Sequence, residues 1–124
     1  METHKIEIKE NCALIVADNA MLDNASFNNV SMCDASIFDA NLSNLKIDGA
    51  QIGGAIFKNI GLPDENHPNF VPNQKNIPVR FEMCDLNEAV FDNCDLRNVN
   101  LQNCNIEGLK INGMPIEEYF SKAK

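Results

Sequence analysis

No stretch of this chain approaches the ~18 consecutive apolar residues that a membrane-spanning helix requires. The N-terminal residues METHKIEIKE are charged throughout and lack the apolar segment of a secretory signal. A cytoplasmic location is therefore the expectation. No CxxC pair occurs, and the two histidines, His4 and His67, lie far apart and are not spaced as zinc ligands. The cysteines are Cys12, Cys33, Cys84, Cys94 and Cys104, an odd number, so no disulfide framework is expected without a secretory signal. Nothing resembles a phosphate-binding glycine loop. Positive charge is also scarce: ten basic residues against eighteen acidic ones give a formal net charge of -8. Such a surface repels nucleic acid and anionic membrane, so neither is an expected partner. Its ordinary role is solubility, although it would also attract a basic protein, including one whose natural ligand is DNA.

What the chain has in abundance is a period of five. Phe27, Met32, Ile37, Leu42, Ile47, Ile52, Phe57 and Leu62 fall at every fifth position, and each is large and apolar. Two places before each stand Ala25, Val30, Ala35, Ala40, Leu45, Ala50, Ala55 and Ile60. After an interruption the central column resumes as Phe81, Leu86, Phe91, Leu96, Leu101, Ile106, Ile111 and Ile116. Its companions are Val79, Cys84, Ala89, Cys94, Val99, Cys104, Leu109 and Met114. Every one of these positions is apolar in a chain that is 44% hydrophobic, an outcome with a random probability on the order of 10⁻¹¹ before choice of register.

Neither regular period explains five. A helix wants contacts at three and four residues, and a plain strand wants unbroken alternation. A spacing of two followed by three fits a short extended segment with two inward side chains. The remaining residues then turn a corner, where Asn, Asp, Ser and Gly tolerate the required backbone angles. Chains that repeat in this way wind into a coil.

Ala35-Ser36-Ile37-Phe38-Asp39, Ala40-Asn41-Leu42-Ser43-Asn44 and Cys94-Asp95-Leu96-Arg97-Asn98 resemble the repeats of the pentapeptide-repeat family. That pattern is a small residue, any residue, Leu or Phe, then two polar residues. The resemblance implies an all-β fold, a right-handed quadrilateral β-helix with about four repeats per coil, so that residues twenty apart stack. At ~4.8 Å per coil the shaft would be about 20–25 Å long.

Residues 63–78, PDENHPNFVPNQKNIP, hold four prolines and no five-residue pattern. Proline cannot donate to an internal ladder, so an inserted loop is expected there. The chain is thus read as one β-helix domain, 1–124. Its repeats span roughly 10–62 and 79–116, its loop 63–78, and its short C-terminal helical cap 117–124. The loop either folds back over the outward apolar residues Phe38, Ile56, Met83 and Val90, or carries a partner-binding surface. Its candidate binding residues are His67, Asn69, Phe70, Val71 and Gln74. Tyr119 and Phe120 either cap the last coil or make a homodimer contact through that solenoid end. Residues 5–9 alternate like an edge strand, and residues 10–22 follow the repeat loosely.

Cys84, Cys94 and Cys104 are ten apart, but all fall in the inward column, where a buried thiol acts as a small hydrophobe. Cys33, in an outward column, is expected to be the accessible one. No metal, cofactor or catalytic residue is expected, since His67 with Asp64 and Glu65 is no more than any acidic loop offers. The expected function is therefore a non-catalytic interaction or scaffold protein with a protein partner of unknown identity. The alternative implied by the resemblance is a DNA mimic that binds a type II topoisomerase (gyrase) and modulates quinolone sensitivity.

Overall fold

The period of five in the sequence is a period of backbone angles in the computed structural model, which describes residues 3–122. Except after Leu62 and Ile116, the residue two places after each central apolar residue takes a positive φ. In the first block these are Asn19, Asn24, Asn29, Asp34, Asp39, Asn44, Gly49, Gly54 and Asn59, and in the second Met83, Glu88, Asn93, Asn98, Asn103, Gly108 and Gly113. The left-handed region is costly for most L-residues, and only Gly, Asn and Asp visit it routinely. That restriction writes the column of Asn, Asp and Gly into the sequence. Glu10 (φ 49) shows the same corner after Ile6 and Ile8, so the edge-strand segment already has the repeat's conformation. Residues 11–14 then interrupt it.

Two kinds of corner alternate. At Leu22–Ala25, Met32–Ala35, Leu45–Leu42 and Ala55–Ile52, the backbone N–H of the later residue donates to the carbonyl three residues earlier. The same bond closes Leu86–Ala89, Leu96–Val99 and Ile106–Leu109. Only the third residue of each turn has a positive φ, as a type II turn requires. The corners between them, at Asn29, Asp39, Gly49, Asn59, Met83, Asn93 and Asn103, are bends without that bond. The backbone therefore repeats every ten residues, two sequence periods at a time.

Contacts divide the chain into two units, Met1–Ile56 and Phe57–Lys124. The first contains the N-terminal segment and most of the first block of repeats. The second opens with Phe57 and the 63–78 segment, continues through the second block, and ends in the regular elements. Strand β1 (Lys110–Ile111) pairs antiparallel with β2 (Met114–Pro115), with Lys110 opposite Pro115 and Ile111 opposite Met114. Asn112 (φ 51) and Gly113 (φ 78) join them. Two successive left-handed residues make the type I′ hairpin for which Asn-Gly is the preferred pair. Helix α1 (Ile116–Lys122) follows, with Glu117 and Glu118 in its first turn, where carboxylates suit the helix dipole. The expected cap at 117–124 thus begins within a helix, and its residues 123 and 124 lie outside the described residues.

The side chains keep the expected sides but do not close into a core. Apart from half-buried Ile116, central-column residues are 37% (Leu86) to 62% (Ile37, Phe57) exposed, whereas the outward Phe38, Ile56, Val90 and Met83 are 82% to 107% exposed. The central column is the less exposed side, yet none of the described side chains is buried. A column residue becomes buried only when a neighbouring coil lies on it. The backbone bonds here are the turns' own, together with the hairpin, the helix and the Ile116 N–H to Leu109 carbonyl bond (2.9 Å). The expectation that Cys33 is the one accessible thiol is corrected for the same reason: all five cysteines are exposed.

Candidate functional site

The 63–78 segment is a run of hydrogen-bonded turns set by its prolines. The His67 N–H donates to the Asp64 carbonyl (3.0 Å), the Phe70 N–H to the His67 carbonyl (3.0 Å), and the Gln74 N–H to the Val71 carbonyl (3.3 Å). Pro68 and Pro72 are the second residues of the last two turns, the position for which proline's fixed φ is preformed. Asn73 (φ 61) is the third residue of the last, again a type II arrangement. Side chains brace the first two turns. Asp64 Oδ1 accepts the Asn66 N–H (3.0 Å), and His67 Nδ1 accepts the Asn69 N–H (3.0 Å).

All five candidate loop residues therefore belong to this turn run. His67, Asn69 and Phe70 share one turn, and Val71 and Gln74 close the next. Phe70 is 39% and Val71 53% exposed. Met83 and Val90, outward residues of the same unit, stay exposed. Asp64 and Asn73, which fix the turns, were not among the candidates. Their signal was local: Asp64 stands directly after Pro63 and two residues before Asn66, and Asn73 directly follows Pro72.

At the C-terminal end Tyr119 Oη donates to the Ile111 carbonyl (2.9 Å), which ties α1 to β1. Phe120 and Ile116 border a hollow of about 350 Å³ with Leu101, Cys104, Ile106, Leu109 and Ile111. Leu109, Met114, Pro115 and Ile116 are half-buried there, in the best-covered part of the described chain. Tyr119 thus anchors the helix while Phe120, 61% exposed, faces the end of the column.

The ten-residue spacing of cysteines has a local cause. The thiols of Cys84, Cys94 and Cys104 donate to the carbonyls of Glu82 (3.3 Å), Asp92 (3.4 Å) and Gln102 (3.2 Å). Each carbonyl belongs to an open corner that lacks the backbone turn bond. No metal-holding cluster occurs among the described residues.

At four of the bonded corners the residue before the centre braces the turn. Asn41, Asp85, Asp95 and Asn105 each accept, through Oδ1, the N–H two residues on. Residues two apart on this extended backbone share a face, so charges pair there: Arg80 with Glu82 (2.8 Å) and Arg97 with Asp95 (2.7 Å). The Arg97 guanidinium grips both Asp95 oxygens while its backbone N–H reaches Oδ1, and these bonds lower the Asp95 pKa to about 2. Both side chains are largely exposed, so salt screens the pair.

Residues 79–113 match the family model described as pentapeptide repeats (8 copies). No curated protein and no solved structure matches the chain. Repeats of that family imply a β-helix solenoid. The matched segment is the one whose central column holds mostly Leu and Phe, whereas Met32, Ile37, Ile47 and Ile52 depart from that preference in the first block.

Proposed function

We propose that this pentapeptide-repeat protein is a non-catalytic interaction or scaffold protein, in which stacked repeats form a rigid shaft and the 63–78 loop presents the recognition surface. The observation that carries the reading is the loop's construction. Three turns shape the backbone of residues 64–74, which carries Phe70 (39% exposed) and Val71 (53% exposed), and preorganised loops on regular scaffolds are where recognition residues concentrate. In the proposed shaft, four repeats close one coil of a right-handed, four-sided β-helix. A backbone period of ten fits a coil of twenty, since like corners then lie above like corners. Tyr119 and Phe120 cap the last coil.

The partner is a protein, because the net charge of -8 disfavours polyanions. The test is a quantitative pull-down from bacterial lysate with the intact protein and with a variant whose residues 63–78 are replaced by a Gly-Ser linker. A defined protein retained only by the intact form is the expected result. Equal retention by both forms would move recognition away from the loop.

One observation favours the second reading, a DNA mimic acting on a type II topoisomerase. Arg80 and Arg97 each lie against a carboxylate two residues away, so both arginines of the second block are locally neutralised and the surplus acids set the surface field. A supercoiling assay separates this reading from the first: a mimic inhibits the enzyme, and the inhibition fades with added salt.

A further inference from the structure

Among the described residues, six side chains accept the backbone N–H of the residue two positions on. Five are Asn or Asp: Asn41, Asp64, Asp85, Asp95 and Asn105. The sixth is His67, whose Nδ1 takes the Asn69 N–H at 3.0 Å. These bonds respond differently to protonation. An amide oxygen does not titrate, and a protonated carboxyl group keeps a carbonyl oxygen that still accepts. A protonated imidazole carries N–H at both nitrogens and has no acceptor. Of the six, only the His67 bond is abolished by adding one proton.

His67 is also the residue on which the loop's first two turns meet. Its own N–H donates to the Asp64 carbonyl and its carbonyl accepts the Phe70 N–H. With Nδ1 accepting, the neutral ring carries its proton on Nε2. The charged groups along the same loop are Asp64, Glu65 and Lys75, and among the described residues no ion pair joins any of them to His67. The ring is exposed, so protons reach it freely.

We infer that His67 is a proton-operated latch on Asn69 within the 67–70 turn: neutral, its Nδ1 fixes the Asn69 N–H; protonated, it turns an acceptor into a donor facing that N–H and releases Asn69, while the backbone bond from Phe70 to the His67 carbonyl remains. The Asp64 brace on Asn66 stays in place, so the change is confined to one side of the loop. The inference concerns the loop's conformation and holds whether or not the loop binds a partner.

The test follows the backbone amides of the full-length ¹⁵N-labelled protein by NMR as pH is lowered, with exchange rates normalised to the intrinsic rate at each pH. Asn69 should lose about threefold to tenfold in protection, the scale of one hydrogen bond. Its shift should titrate with the same midpoint as the His67 ring, while Asn66 stays fixed. His67→Asn supplies an oxygen acceptor at the same place and should keep Asn69 protected across the range. His67→Ala should leave it unprotected throughout. An Asn69 amide indifferent to the His67 titration, or equally protected in His67→Ala, overturns the latch.

Discussion

Backbone conformation is decided here one residue at a time, and beyond the N-terminal Glu10 two positions go against the rule that sets the rest. The left-handed column is Asn, Asp or Gly nearly throughout the two blocks, but Met83 (φ 53) and Glu88 (φ 66) occupy it in the second. Met83 is 107% exposed and has no packing to lose. Met83→Asn should therefore stabilise the protein by about 1 kcal/mol, the order of the left-handed penalty it relieves. Chemical denaturation of the two proteins measures the difference directly. An unchanged midpoint would mean that Met83 does not hold a left-handed angle in solution. The role of this column was legible in the sequence as a run of corner-forming residue types. The two misfits were not, because a Met or Glu at a corner carries no signal of its own φ.

At the scale of the element the unit is the pair of corners. The sequence shows five because its apolar columns repeat every five, whereas the alternation of bonded and open corners is a matter of backbone hydrogen bonds. One trace of it was visible. Cys84, Cys94 and Cys104 recur at ten, and the thiols donate to open-corner carbonyls that no backbone N–H reaches. Reading them as core residues placed them in the right column but missed this bond, since an S–H donor is weak and its partner lies only two residues away. The first block offers an internal comparison: the residues after its open corners are Val30, Ala40, Ala50 and Ile60, which donate nothing from their side chains. Replacing the three cysteines together by alanine should speed amide exchange in residues 79–109 and leave 15–57 unchanged. Serine, which restores a donor, should recover most of the protection. Equal exchange in the alanine and serine variants would assign the thiols to packing alone. The loop was legible as an interruption through its four prolines, yet its turn-by-turn bracing depends on side-chain rotamers that spacing does not encode.

For the whole molecule the decisive quantity is surface. The chain exposes 13850 Å², whereas a folded monomer of its 13.8 kDa mass is expected to expose about 6,600 Å². A twofold excess with two apolar columns along it is a strong drive towards coil-on-coil closure, because apolar surface is what water expels. The alternation of corners is compatible with a shift of ten or of twenty residues, since either sets bonded corner on bonded corner and open on open. The proposed coil of four repeats takes the shift of twenty, and its stacking would place Leu86 beneath Ile106 and Phe81 beneath Leu101, covering columns that are half-exposed here. The proposed shaft therefore distinguishes sharply between two apolar positions of the second block. Leu96 lies in the central column at 51% exposure and Val90 faces outward at 84%. In the stacked state Leu96→Asp buries an unpaired charge and should abolish the cooperative urea transition, whose slope for a domain of this size is about 1–3 kcal/mol/M. Val90→Asp should leave slope and midpoint nearly unchanged. If the two substitutions are equally mild, the columns remain open in solution, and the rigid shaft on which the loop is proposed to sit does not form.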